Sequence, residues 1–316
     1  MVRENLDILC GLFGKTRQAY YQKMNYDYKE CVAESIILDK VAEIRKDMPK
    51  VGGRKLWQEI NDSMPVGLKV GRDALFDLLE VNGLKVKMRI RKTRTTYSNH
   101  WMFKWPNLIR DIVPTAANQV WVNDITYIGT EAKGFVYLHL VTDLYSKRIM
   151  GWCVSSTLQA DFTLEALRMA IRNAGCSLKG LIHHSDRGCQ YCCDRYIKEL
   201  QRNDILISMT ENGDPLENAV AERVNGILKM EWLNAETFKN QMDVRSRVAE
   251  VVNLYNTRRK HLSLGYKTPD QAYGMTGEQR RCWKNYYKQS SLNDEKMLAT
   301  LTSPVRTNVL AGHTTI

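Results

Sequence analysis

The segment from Ala116 to about residue 156 gives the strongest indication of the fold class of this protein. Its runs VWVNDITYI, GFVYLHLVTDLY and KRIMGWCVSS are rich in β-branched and aromatic residues and are separated by short turns. They predict three successive strands. A helix should follow and end at Gly175, after which strands LIHHS and ILISMT alternate with helices. The pattern indicates an α/β core over residues 115–275, with a mixed sheet flanked by helices.

Three acidic residues stand at positions that folding explains poorly. Asp124 interrupts an apolar strand, Asp186 ends another, and Glu222 lies in a predicted helix, with 35 residues between the last two. Carboxylates brought together acquire raised pKa values unless a cation neutralises their charge. Such oxygen ligands suit Mg²⁺ or Mn²⁺. We therefore interpret the three as catalytic, metal-binding residues of a phosphoryl-transfer site that holds two ions.

Polar residues around these carboxylates complete the candidate site. Helical spacing aligns Asn218, Asn225 and Lys229 with Glu222, which predicts that their amides and ammonium contact a nucleotide or phosphate. Arg187 and Gln190, next to Asp186, are predicted to contact DNA. For His183 and His184 we favour a positioning role over metal ligation.

Composition limits the class of partner and compartment. The net charge of +11 and pI near 9.2 favour a polyanionic partner. No apolar run reaches the roughly 20 residues of a membrane span, and no signal peptide is recognisable, so we expect a cytoplasmic protein with mostly reduced cysteines. Cys189, Cys192 and Cys193 could suggest zinc, but without a convincing second cysteine pair we prefer free thiols.

The first 92 residues are predicted to be helical. Residues 1–43 should form two short helices broken at Gly14, either a helix-turn-helix or a hairpin that only packs on its neighbour. Residues 44–92 predict a helix-turn-helix-like DNA-binding domain with an apolar face. Its predicted DNA-facing residues are Arg54, Lys55, Lys69 and Arg72.

A basic linker, residues 93–114, is predicted between the helical part and the core, and a loosely ordered tail over 276–316. Cations alternate with aromatic residues from residue 84 to 110, which favours DNA contact over a merely solvated linker. The predicted contacts of this segment are Lys87, Arg89, Arg91, Lys92 and Arg94. After the catalytic helix, Arg258 and His261 are predicted to contact phosphate, whereas the apolar residues around them should pack against the core.

Five motifs resemble those of the OrfB transposases of the insertion sequence three family, within the DDE transposase and retroviral integrase superfamily. They are VWVNDITYI, DLYSKRIMGW, HHSDRGCQY, NAVAERVNGILK and YNTRRKHLSLGYKTP. The resemblance runs from about Arg45 to Ala272. It departs only in Cys192-Cys193 and in Gly213-Asp214-Pro215.

The resemblance implies an RNase H-like catalytic core and a metal-dependent polynucleotidyl transferase that cleaves and joins DNA strands at the ends of an insertion sequence. It also implies duplex DNA partners (terminal inverted repeats and target DNA), a homo-oligomer on DNA, and an upstream OrfA product as a possible partner. Two alternatives stay open: a catalytically silent DNA-binding regulator of transposition, and an RNase H-type nuclease acting on RNA–DNA hybrids.

Overall fold

A computed structural model describes residues 2–86, 102–110, 112–131, 134–211 and 218–279. Residues up to 279 form one compact unit. The helices are α1 (Val2–Leu12), α2 (Arg17–Asp47), α3 (Gly53–Ser63), α4 (Arg72–Val81), α5 (Ala160–Ala174), α6 (Cys189–Cys192), α7 (Asp194–Arg202), α8 (Ala219–Glu231), α9 (Gln241–Thr257) and α10 (Pro269–Tyr273). The strands are β1 (Val120–Thr130), β2 (Gly134–Asp143), β3 (Ile149–Ser155), β4 (Ile182–Ser185) and β5 (Leu206–Met209).

The five strands form one mixed sheet in the order β3-β2-β1-β4-β5. β1, β2 and β3 pair antiparallel as a meander, whereas β4 runs parallel to both β1 and β5. This confirms the predicted α/β class with a mixed sheet and a helical front part.

Helices cover both faces of the sheet. On one face, α5 and α7 pack over Trp121, Met150 and their neighbours. The contact between α5 and β3 requires glycine at position 151, since a Cβ there would lie 2.1 Å from the carbonyl oxygen of Ala166. As predicted, α5 ends at Gly175, which adopts a left-handed conformation with φ 62°.

The other face of the sheet and the front helices share one hydrophobic core. Buried residues of α2, α3 and α4, including Leu56 and Leu75, belong to the same cluster as Leu228 and Trp232 at the end of α8. The indole Nε1 of Trp232 donates to the carbonyl oxygen of Asp47, 2.7 Å away. The helical front part is therefore packed directly on the helix that carries Glu222.

Two predictions about the chain before the sheet need correction. The second front helix is not short: α2 is a single helix of 31 residues that crosses the predicted boundary at residue 43. Its N-cap, Thr16, accepts from the amide of Ala19, and no proline interrupts the helix before Pro49. Part of the predicted linker is also fixed to the core, because the amide of Leu108 donates to Ser208 Oγ of β5 at 2.9 Å.

Candidate active site

The parallel pairing of β1 with β4 brings the two aspartates together. Val122 of β1 lies opposite His184 of β4, so the same register, continued by two residues, sets Asp124 beside Asp186. Asp186 follows directly after the last residue of β4. The first two acids of the candidate site therefore lie on neighbouring strands.

The Asp124 carboxylate is held by two donors. Its Oδ1 accepts from the backbone amide of Ile125 at 2.8 Å, and its Oδ2 accepts from Asn225 Nδ2 of α8 at 2.7 Å. Glu222 lies on the same helix, three residues before Asn225, with an exposed side chain. Since residues three apart share a helix face, the bond to Asn225 directs that part of α8 toward Asp124.

The Asp124 carboxylate is affected by burial and by the charges of the other two acids. Burial raises the pKa of Asp124 to about 7, and the charges of Asp186 and then Glu222 act in the same direction. The bonds from Asn225 and the Ile125 amide oppose this rise only in part. Burial also raises the pKa of Glu222. Negative charge at this place is thus destabilised by the protein, as it would be in a site suited to a cation.

The donor chemistry fits a hard divalent cation. Asp124, Asp186 and Glu222 offer only carboxylate oxygens, the ligand type that Mg²⁺ and Mn²⁺ prefer. In the part of the chain that the structure describes, no three His, Cys, Asp or Glu side chains converge closely enough to enclose a metal ion. Binding would require Glu222, on the surface of α8, to approach the two aspartates.

The polar face of α8 is directed at β1. Asn218 Nδ2 donates to the carbonyl oxygen of Asn123 at 2.9 Å, and Lys229 Nζ donates to Thr126 Oγ1 at 3.2 Å. Both Asn218 and Asn225 are buried. The contact of their amides with a nucleotide stays a prediction; in this structure, the face that aligns with Glu222 holds α8 against the strand that carries Asp124.

Both histidines before Asp186 are buried and bonded within the protein. His183 Nε2 lies 2.7 Å from the Tyr196 hydroxyl and 2.6 Å from Asn123 Nδ2, and His184 Nδ1 lies 2.8 Å from Ser208 Oγ. Burial lowers the pKa of His183 to about 3, so this imidazole is neutral at physiological pH. These contacts support a positioning role for both.

The predicted DNA-contacting cations of the front helices separate into two groups. Arg54, Lys69 and Arg72 are exposed, although Arg72 pairs with Asp73 at 2.8 Å. Lys55 instead is mostly buried and lies 3.3 Å from Glu231 at the end of α8. Its contact with DNA stays a prediction, and in this structure the packing of α3 against α8 turns the side chain of Lys55 toward Glu231.

The remaining predicted contacts differ in accessibility. Arg187 and Gln190 are half-buried next to Asp186, and Arg258 is exposed and pairs with Asp47 at 3.1 Å. His261 is buried, and burial together with the Arg259 charge holds its pKa well below the usual range. The phosphate contact of His261 stays a prediction, and in this structure its imidazole faces Arg259. Lys87, Arg89, Arg91, Lys92 and Arg94 lie outside the described residues.

Sequence reasoning missed one buried cation. Arg259 is almost fully buried, with both Nε and Nη2 donating to Glu231 at 2.7 Å and Nη1 lying 2.8 Å from His261 Nε2. In the motif YNTRRKH the adjacent Arg258 and Arg259 look equivalent. Only the position of residue 259 relative to the end of α8 distinguishes the buried arginine from the exposed one.

The family models that match this chain cover all five strands of the sheet and the helices from α5 to α9. Two family models, each described as integrase core domain, match residues 114–215 and 203–269. The chain is 35% identical to an uncharacterized 31 kDa protein of insertion element IS600 from Shigella sonnei, over 83% of this chain and 96% of that protein. It is 32% identical to the transposase InsF of insertion sequence IS3A from Escherichia coli K12, over 75% and 81% respectively. The chain belongs to the insertion sequence three family of transposases.

Among solved structures, the catalytic core domain of HTLV-2 integrase in complex with magnesium is similar, with 20% identity and a TM-score of 0.41. The match covers 51% of this chain and 99% of that domain. Family membership confirms the predicted resemblance and the integrase core. None of the helices within the described ranges is long and apolar enough to cross a membrane.

Proposed function

We propose that this transposase catalyses metal-dependent cleavage and transfer of DNA strands at the ends of an insertion sequence, with Asp124, Asp186 and Glu222 as the metal-binding residues. The observation that carries the proposal is the Asp124 carboxylate. It sits beside Asp186, has its pKa raised to about 7, and is held in place by Asn225. A fold that keeps a destabilised acid in a fixed orientation is well suited to cation binding.

Two residues near Asp124 have different proposed roles: Asn225 orients the Asp124 carboxylate, and Lys229 contributes a positive charge. Asn225 fixes one carboxylate oxygen of Asp124 and leaves the other lone pairs of this group available to a cation. Lys229, bonded to Thr126 on β1, adds a positive charge near the same strand that would favour the approach of a phosphodiester.

Two Mg²⁺ or Mn²⁺ ions, when bound, would neutralise charge on the scissile phosphate and lower the pKa of an attacking water or 3′-hydroxyl. Asp124, Asp186 and Glu222 would hold them. The protein supplies no covalent intermediate in this proposal, and its contribution is placement of the carboxylates and of the DNA.

We further propose that duplex DNA reaches the site from the front helices. Arg54, Lys69 and Arg72 are exposed on or beside α3 and α4, which pack on the helix that carries Glu222. Cations on such a helical element can bind the phosphates of a duplex end. By family resemblance, the terminal inverted repeats and target DNA are the expected substrates.

The test is strand cleavage and strand transfer of labelled element-end duplexes in Mg²⁺ or Mn²⁺. Asp124→Asn should abolish both products, because the carboxylate charge is lost, while DNA affinity stays within about threefold. Asp161→Asn is the matched control. Asp161 is an exposed partner of Arg195 at 3.0 Å, and its substitution should leave cleavage unchanged.

Each other outcome assigns a different function. A wild-type protein that binds the ends but yields no product with either metal would be a DNA-binding regulator. Cleavage of an RNA–DNA hybrid in preference to the duplex end, in direct competition, would identify a ribonuclease H. Equal activity of Asp124→Asn and wild type would show that the proposed role of the carboxylates in the reaction is wrong.

A further inference from the structure

A long helical arm, formed by α1 and residues 17–36 of α2, exposes an apolar surface. On α2 the exposed fractions are 41% for Tyr21, 49% for Met24, 71% for Tyr28 and 42% for Val32. On α1 and the following turn, the exposed large apolar residues are Ile8, Leu9, Leu12 and Phe13. Contiguous apolar surface of this kind marks an interaction site in a soluble protein.

Four of the exposed apolar residues of α2 form a stripe, and the exposed Tyr20 and Ile36 lie on either side of it. The spacing of three, four and four residues confines Tyr21, Met24, Tyr28 and Val32 to roughly 80° of the helix circumference, because successive residues are about 100° apart. The stripe is as narrow as the seam of a two-helix coiled coil. A single helix of matching length would cover it.

The distribution of charge along the arm indicates which partner would bind it. Residues 15–29 contain four cations and one acid, whereas residues 30–39 contain three acids and no cation. A second copy of α2 in antiparallel orientation would place the basic residues 15–29 of each copy against the acidic residues 30–39 of the other. A parallel copy would instead set like charges side by side, which is unfavourable.

We infer that α2 binds α2 of a second copy of this chain as an antiparallel helix pair through the stripe Tyr21, Met24, Tyr28 and Val32. The interface is isologous, since each helix contributes the same stripe and the same two charged segments. The arm requires neither DNA nor metal to pair, so this inference stands apart from the proposed function.

Two tyrosines of α2 provide a matched test. Tyr28, exposed by 71%, lies on the stripe, whereas Tyr26, exposed by 64%, points roughly 160° away from it. Sedimentation velocity without DNA, over about 1 to 100 µM protein, should show a wild-type dimer. Tyr28→Glu should weaken its self-association by about tenfold or more, and Tyr26→Glu should leave it unchanged.

Charge reversal tests the orientation. We expect weaker self-association for each of two double variants, Lys15→Glu/Lys23→Glu and Glu30→Lys/Glu34→Lys. In each variant, residues 15–29 and residues 30–39 carry net charge of the same sign and would repel each other across the antiparallel pair. An equimolar mixture of the two variants should restore the dimer.

The inference is overturned if wild-type protein is monomeric over this range, or if Tyr26→Glu and Tyr28→Glu weaken association equally. Charge-reversed variants that each associate as tightly as wild type would contradict the antiparallel order. If the wild-type protein is monomeric and forms a complex only with an added upstream OrfA product, that partner and not a second copy binds the stripe. Far-ultraviolet circular dichroism of every variant checks that α2 is still helical.

Discussion

At the scale of single residues, Asp124 is where folding and the proposed function conflict. Its carboxylate is destabilised by burial and by two neighbouring acids, and the amide of Asn225 offsets only part of this. A residue chosen for stability alone would be neutral at this position. The conflict is resolved if a cation binds, and this gives a direct measurement of the site in the absence of DNA.

We expect Asp124→Asn to stabilise the metal-free protein near neutral pH. The folded pKa of Asp124 lies above its ordinary value of 3.8, so the folded state binds the proton more tightly than the unfolded chain. The protonated carboxyl group of Asp124 therefore stabilises the folded protein fully below about pH 4, and this stabilisation is lost as the pH rises through about 7. Because Asp124 keeps some solvent contact, the gain in the free energy of unfolding should be about 2–3 kcal/mol at about pH 8. It should vanish toward about pH 4.

Urea denaturation in EDTA at several pH values measures this difference. Addition of Mg²⁺ should stabilise wild type but not Asp124→Asn, since a ligand of the folded state shifts its stability by mass action. A variant less stable than wild type at every pH would show that the Asp124 carboxylate is not destabilised in the folded protein.

We expect Asn225→Ala to lower kcat/KM for strand cleavage by about tenfold, because the Asp124 carboxylate loses the donor that orients it. Asn203→Ala is the control. Asn203 Nδ2 donates to the Glu199 carbonyl oxygen at 2.8 Å near the end of α7, remote in sequence from the carboxylates. Cleavage rates on a labelled duplex end compare the two. Equal rates would mean that Asp124 is held well enough without Asn225.

At the scale of elements, the end of α8 joins the front helices to the core. Glu231 accepts from Arg259 with both carboxylate oxygens at 2.7 Å and lies 3.3 Å from Lys55 of α3. The charges of Arg259 and Lys55 hold the pKa of Glu231 below its usual range despite its burial. Eight residues lie between Glu222 and Glu231 along α8, so this network fixes the helix that carries the third acid.

We expect Glu231→Gln to lower the free energy of unfolding by about 3 kcal/mol, since it leaves the buried Arg259 guanidinium without its counter-charge. Glu43→Gln should change it much less, because the Glu43 carboxylate that pairs with Lys40 is exposed to solvent. Chemical denaturation monitored by tryptophan fluorescence measures both. Equal effects of the two substitutions would contradict the role of the buried network.

At the scale of the whole molecule, the front helices and the integrase core are one folding unit in this structure. Leu56 of α3 and Leu75 of α4 are completely buried in the cluster that contains Trp232. The predicted division at residues 92 and 114 follows a change in sequence composition, whereas the hydrophobic core continues across it. The front part should therefore share the stability of the core.

We expect Leu75→Ala to shift the unfolding of the entire unit, with a loss of about 2–5 kcal/mol from the cavity it leaves. Tryptophan fluorescence and far-ultraviolet circular dichroism should report one coincident transition for both wild type and variant. Two separate transitions, of which Leu75→Ala moves only one, would show that the front helices unfold by themselves.

Local patterns in the sequence were enough to predict the sheet and its flanking helices and to single out the three acids. Strand and helix periods are local properties, and an acid within an apolar strand, as at Asp124, is conspicuous without any coordinates. Which polar residues face inward could not be predicted in this way and is seen only in the packed fold. Lys55, Arg259, His261 and Asn225 are ordinary surface residues by sequence, yet each is wholly or mostly buried, because burial depends on which helix packs against which strand. That information lies in contacts between residues far apart in the chain, where local patterns carry no signal.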